Sequence, residues 1–156
     1  YGFGMDSPSE RAFAELRRMV DVYGWAIRHV LGTSFAAPFS YTVGLTARGW
    51  DELLITGLPA DVADMFIRNA VAEQELRGAF QSGDRTEVLT ESRSVVFVRV
   101  EDRGGLTAAE RMLGDFEALQ IVWPDSNGNF PWDIGCRNPP EVQPLLGRAP
   151  GSDRAS

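Results

Sequence analysis

The order in which the hydrophobic period changes along the chain is its strongest constraint on fold. Ser7-Pro8-Ser9-Glu10 has a capping serine, a proline at the first helical position and a glutamate three residues on, the pattern of a capping box. Phe13, Leu16, Val20 and Tyr23 then recur at helical spacing, and Gly24 is a natural stop. The period switches to two over residues 25–31, where Trp25, Ile27, His29 and Leu31 share a face, and again over 39–46, where Phe39, Tyr41, Val43 and Leu45 do. Residues 52–58 are apolar on both faces, which predicts a central strand. Residues 59–77 return to a helical period with an apolar stripe of Val62, Met65, Phe66 and Ile67. Strands are predicted at 86–90 and at 93–101, where Val95 to Val100 is β-branched and apolar. Thr107-Ala108-Ala109-Glu110 reads as a second capping box opening a short helix, and 118–123 as the last strand. The resulting order, α-β-β-β-α-β-β-α-β with short connections, predicts an α+β fold: a mainly antiparallel sheet of about five or six strands covered by two or three helices.

The chain has 156 residues, enough for one domain with a real core, placed at residues 5–147. Residues 1–4 precede Met5 and are expected to be foreign to the native start, and 148–156 is expected to be a mobile tail. Fifteen basic against twenty-two acidic residues give a net charge of −7, which argues against nucleic-acid and anionic-membrane partners. All fifteen basic residues are arginine, so lysine Schiff-base chemistry and a P-loop lysine are excluded. A single Cys forbids an internal disulfide, and a single His forbids a two-His metal motif. No cofactor and no metal is expected. With no apolar run long enough to span a bilayer and no basic-then-apolar start, the cytoplasm is the expected compartment.

Several motifs fail on their own chemistry. Trp123-Pro124-Asp125 resembles the acid loop of tyrosine phosphatases, but six residues after Cys136 stands Val142 where that chemistry needs Arg. Asp125, Asn127, Asn129 and Asp133 occupy alternating positions of a calcium loop, yet Phe130 replaces its glycine and Cys136 its final glutamate. An Asx/Gly turn explains the same residues. Neither Ser34 nor Ser40 sits in a nucleophile elbow. His29 lies on the apolar face of its strand and is read first as a core histidine with one hydrogen-bond partner; pairing with Cys136 stays open. What remains is the Pro-, Gly- and Trp-rich stretch 120–143, a long loop of the kind that carries function.

The blocks Tyr23-Gly24-Trp25-Ala26, Pro38-Phe39-Ser40-Tyr41-Thr42-Val43-Gly44-Leu45-Thr46, Glu52-Leu53-Leu54-Ile55-Thr56-Gly57-Leu58-Pro59, Gln120-Ile121-Val122-Trp123-Pro124-Asp125, Gly128-Asn129-Phe130-Pro131-Trp132 and Gln143-Pro144-Leu145-Leu146-Gly147 resemble, in order, a bacterial domain of unknown function numbered 4262. The resemblance implies a single-domain bacterial protein and assigns no activity.

Three function classes follow. The first is a soluble domain that binds a small molecule or a protein at the Trp-containing loop, through Tyr41, Thr42, Trp123, Asp125, Phe130 and Trp132. Trp132 is expected to line the pocket and Trp123 to anchor the strand end. The second is a small enzyme with Asp125 or Asp133 as acid/base, assisted by Tyr41 or His29, with Cys136 as a further candidate. The third is a structural or immunity-like interaction protein, and a homo-oligomer is compatible with each.

Overall fold

The computed structural model describes residues 7–91 and 93–150. Six strands form one sheet: β1 (Ala26–Val30), β2 (Phe39–Val43), β3 (Glu52–Thr56), β4 (Arg85–Thr86), β5 (Val95–Arg99) and β6 (Ala118–Val122). Three α-helices accompany them, α1 (Pro8–Tyr23), α2 (Ala60–Arg77) and α3 (Thr107–Leu113). The strand order is β1-β2-β3-β6-β5-β4. Every neighbouring pair is antiparallel except β3 and β6, which run parallel with Leu53 beside Leu119. The fold is α+β with a mostly antiparallel sheet, as the period changes predict.

Alternation along the strands divides the core between two faces. On one face α2 packs Ala63, Phe66, Ile67, Ala70 and Val71 against Leu53, Ile55, Phe97, Leu119 and Ile121. On the other, α1 and α3 bring Leu16, Ala108 and Ala109 onto Tyr41, Val43, Leu54 and Ala118. Beyond α3 this second face is covered by the C-terminal segment, where Phe130, Trp132 and Leu145 lie on Val96, Val98 and Val122. The central position of β3 follows from its composition, since all five residues are buried.

Three local expectations are corrected. The buried stripe of α2 is rotated one position from the predicted one: Met65 is 40% exposed, and Ala63, Phe66, Ile67, Ala70, Val71 and Gln74 face the sheet. The strand predicted at 86–90 shortens to Arg85–Thr86, because Leu89 turns into the core and Asn69 Nδ2 takes its carbonyl at 2.8 Å. Thr107 does not cap α3; Leu106 occupies that position, and the Tyr41 hydroxyl accepts the Ala108 N–H at 3.0 Å instead. A helix start needs its free N–H groups satisfied, and here the sheet does it. The Ser7 cap is present, with Glu10 N–H donating to Ser7 Oγ at 3.1 Å, while the Glu10 carboxylate pairs with Arg111 of α3. The readings of residues 1–4 and of 151–156 lie outside the described residues. Arg148, at the start of the expected tail, pairs with Glu101 at 3.5 Å. No helix of the described residues is long and apolar enough to cross a membrane.

Candidate functional site

The chain leaves β6 through Trp123-Pro124-Asp125 and then runs without regular structure, so its backbone groups need other partners. Glutamine side chains supply them. Gln143 is buried and brackets Trp123, accepting its N–H at 2.9 Å and donating to its carbonyl at 2.8 Å. Gln120, on β6, donates to the Pro144 carbonyl at 2.9 Å and accepts the Leu146 N–H at 2.9 Å. The Trp123 indole donates to the Thr56 carbonyl at 2.8 Å. Gly57 follows with φ +87, and a Cβ there would stand 3.0 Å from the Trp123 ring and run into the Val142 carbonyl. Only glycine fits that turn without strain.

Asp125 organises the loop that follows. Its Oδ1 accepts the N–H groups of Asn127 and Asn129, both at 2.9 Å, and its Oδ2 accepts the N–H of Arg137 at 2.7 Å. These donors hold its carboxyl below the ordinary value of 3.8, against the opposing effect of burial. Asp133 repeats the device on a smaller scale, accepting the Phe130 N–H at 2.8 Å. Both carboxylates are thus turned toward their own loop's backbone, the geometry of the Asx turn. Among the described residues no group of three or more His, Cys, Asp and Glu is placed to hold a metal ion.

Two clefts flank this loop and share Arg93, Pro124, Asp125 and Ser126. The first, about 460 Å³, is polar and is lined further by Arg85, Ser94, Asn127 and Phe130. The second, about 410 Å³, lies against α2 and is lined by Leu58, Val62, Met65, Phe66 and Trp123. Phe130 is buried and stacks on Trp132 with centroids 5.3 Å apart, and the Arg85 guanidinium lies 5.0 Å over the Phe130 ring. Trp123 lines a cleft; Trp132 is set on the opposite face of the sheet, on Val96, Val98 and Val122. Trp123 thus anchors the strand end, as expected, and lines a cleft as well, whereas Trp132, expected in the pocket, packs on the other face because the chain passes the end of β6 between them.

The remaining predicted site residues do not converge on the loop. Tyr41 is buried beneath α3, where burial raises its hydroxyl above the ordinary 10.0. Thr42 is buried too, donating to Glu52 Oε1 at 2.7 Å and accepting the Leu53 N–H at 2.8 Å. The expected joining of the 39–46 strand with the Trp loop is therefore corrected: that strand's side chains are consumed by packing and by Glu52. His29 sits on edge strand β1, three strand spacings or about 14 Å from β6. Its Nδ1 meets Ser40 Oγ at 2.7 Å, and its Nε2 is 3.8 Å from Asp64 of α2. The trio has the elements of a serine triad, but Ser40 is 1% exposed and cannot meet a substrate as placed. Cys136 is half-buried beside a third, smaller hollow with Pro139 and Pro140, away from His29.

Sequence reasoning passed over Glu52, which is 0% exposed. Its carboxylate accepts from the Thr42 and Thr46 hydroxyls and from the N–H groups of Gly44, Leu45 and Thr46. The available signal was a charged residue at the head of an otherwise apolar central strand, preceded by Thr42-x-Gly44-x-Thr46. Sequence reasoning also passed over Arg85 and Arg93, which carry no local signal at all.

The class defined by this geometry is an α+β sheet domain with a paired cleft beside its irregular C-terminal segment. A family described as a domain of unknown function (DUF4262) matches residues 19–137, and the chain belongs to it. The matched span includes both arginines, Trp123 and the whole Asp125-organised loop. No curated protein and no solved structure matches the chain.

Proposed function

We propose that this protein is a soluble, cytoplasmic bacterial domain that binds a small organic molecule in the two clefts walled by Trp123-Pro124-Asp125. One observation carries the reading: the clefts share four residues, so a polar and an apolar surface meet on a loop whose backbone Asp125 holds by three hydrogen bonds. Each has the volume of an ordinary ligand site, and pre-organisation of the wall lowers the entropy lost on binding. Asp125 shapes this site. Its carboxyl is held ionised and saturated by N–H donors, which suits a scaffold rather than a general acid.

The test is a fragment screen on the isotope-labelled chain, read by amide and indole chemical shifts. Shifts clustering on Met65, Ser94, Trp123 and Ser126 are expected. Shifts that cluster elsewhere, or none at millimolar fragment, would overturn the assignment.

A further inference from the structure

The charge pattern of the paired clefts points to a ligand class. Seven described arginines, Arg18, Arg48, Arg68, Arg99, Arg103, Arg111 and Arg148, are in ion pairs. Arg17, Arg28, Arg77, Arg85, Arg93 and Arg137 are in none among the described residues, and of these Arg85 and Arg93 line the polar cleft. Among the described residues Arg93 makes one long contact, Nη1 to the Asp125 carbonyl at 3.5 Å, which leaves most of its five donors without an acceptor there. Arg85 rests on Phe130, an arrangement that orients a guanidinium and leaves its edge available.

The carboxylate that lines the two clefts is Asp125, and both its oxygens are engaged by backbone N–H groups. With two guanidinium groups against that one carboxylate, the polar cleft carries a net positive charge on a chain of net charge −7. Planar guanidinium groups match carboxylate and phosphate in paired hydrogen bonds. Arg93 also lines the second cleft, where Leu58, Val62, Met65 and Trp123 offer apolar surface. Met65, 40% exposed, adds its side chain to that apolar wall.

Building on the binding role proposed above, we infer that the ligand is an amphipathic organic anion: a carboxylate or phosphomonoester head between Arg85 and Arg93, and an apolar body along Trp123 and Met65. Head and body then occupy one cleft each.

Calorimetric titration of the full chain at low ionic strength tests this with four probes: octanoate, octyl phosphate, octanol and inorganic phosphate. At least one amphipathic anion should bind tenfold or more tightly than both octanol and inorganic phosphate, and the tighter of the two names the head group. Arg93→Gln and Arg85→Gln should each weaken that anion about tenfold while leaving the thermal melt in place, since both side chains are exposed. Met65→Glu should weaken the anion and leave inorganic phosphate unchanged. Octanol binding as well as the anions, inorganic phosphate matching octyl phosphate, both arginine variants without effect, or no anion binding at all would each overturn the inference. If the inference fails while neutral fragments still shift Trp123 and Ser126, the binding role stands and only the ligand class is wrong. If no fragment binds either, both fall.

Discussion

Glu52 and Asp125 are both carboxylates withdrawn from water, and each holds an irregular stretch of chain, but they sit in different surroundings. Glu52 lies under the Leu45–Arg48 turn, fully buried, and collects two hydroxyls as well as three N–H groups. Asp125 lies at the wall of a cleft and collects only main-chain donors from within its own loop. The first ties two strands and a turn into one unit. The second fixes the shape of a surface without tying it to the sheet, a task left to Gln120 and Gln143. The same chemical group therefore sets the stability of one region and the form of the other.

The largest effect should come from the first region. Glu52→Ala leaves three N–H donors and two hydroxyls without their acceptor in a site closed to water, and should cost about 3–5 kcal/mol at the rate of buried unsatisfied groups. Denaturant melts measure it; a loss below about 1 kcal/mol, the size of an ordinary substitution, would erase the contrast between the two carboxylates. Next, Trp123→Ala removes the indole donor and a large ring over Gly57, and should cost about 3 kcal/mol. Trp132→Ala removes a half-buried ring stacked on Phe130 and should cost about 1–2 kcal/mol. Equal losses from the two would show that the loop beyond Asp125 is as firmly seated as the strand end.

The smallest effect is titration of Asp125. Its folded carboxyl lies below its ordinary value of 3.8, so its contribution to stability is complete above that value and is lost as pH falls through the lower folded value. Wild type should therefore lose stability on acidification below pH 3.8 more steeply than Asp125→Asn does. Parallel acid curves for the two proteins would remove Asp125 from its organising role.

The fold was legible because local period decides it. Val95–Arg99 and Glu52–Thr56 can bury their alternating or continuous apolar faces only in a sheet, whatever else the chain does. Met65 was misplaced because Val62, Met65, Phe66 and Ile67 define two neighbouring stripes, and only the sheet beneath chooses between them. The Tyr41 cap on α3 joins residues sixty-seven positions apart, and no local pattern carries such a contact. The Trp loop was visible from its composition, and Asp125 from its Asx/Gly spacing. Arg85 and Arg93 were not, because what sets them apart is that both line one cleft, a property of the assembled surface.

The parallel pairing of β3 with β6 has a consequence for how the chain reaches this structure. β1, β2 and β3 meet by short connections, as do β4 and β5, so each half of the sheet can gather quickly from neighbours in sequence. The seam between halves joins Leu53 to Leu119 only after α2, β4, β5 and α3 have intervened. Closing so large a loop before any contact rewards it makes the seam the slow step. Truncating Leu119 should then slow refolding nearly in proportion to the stability lost, whereas truncating Ile27 on the far edge should mainly quicken unfolding, a difference that stopped-flow kinetics resolves.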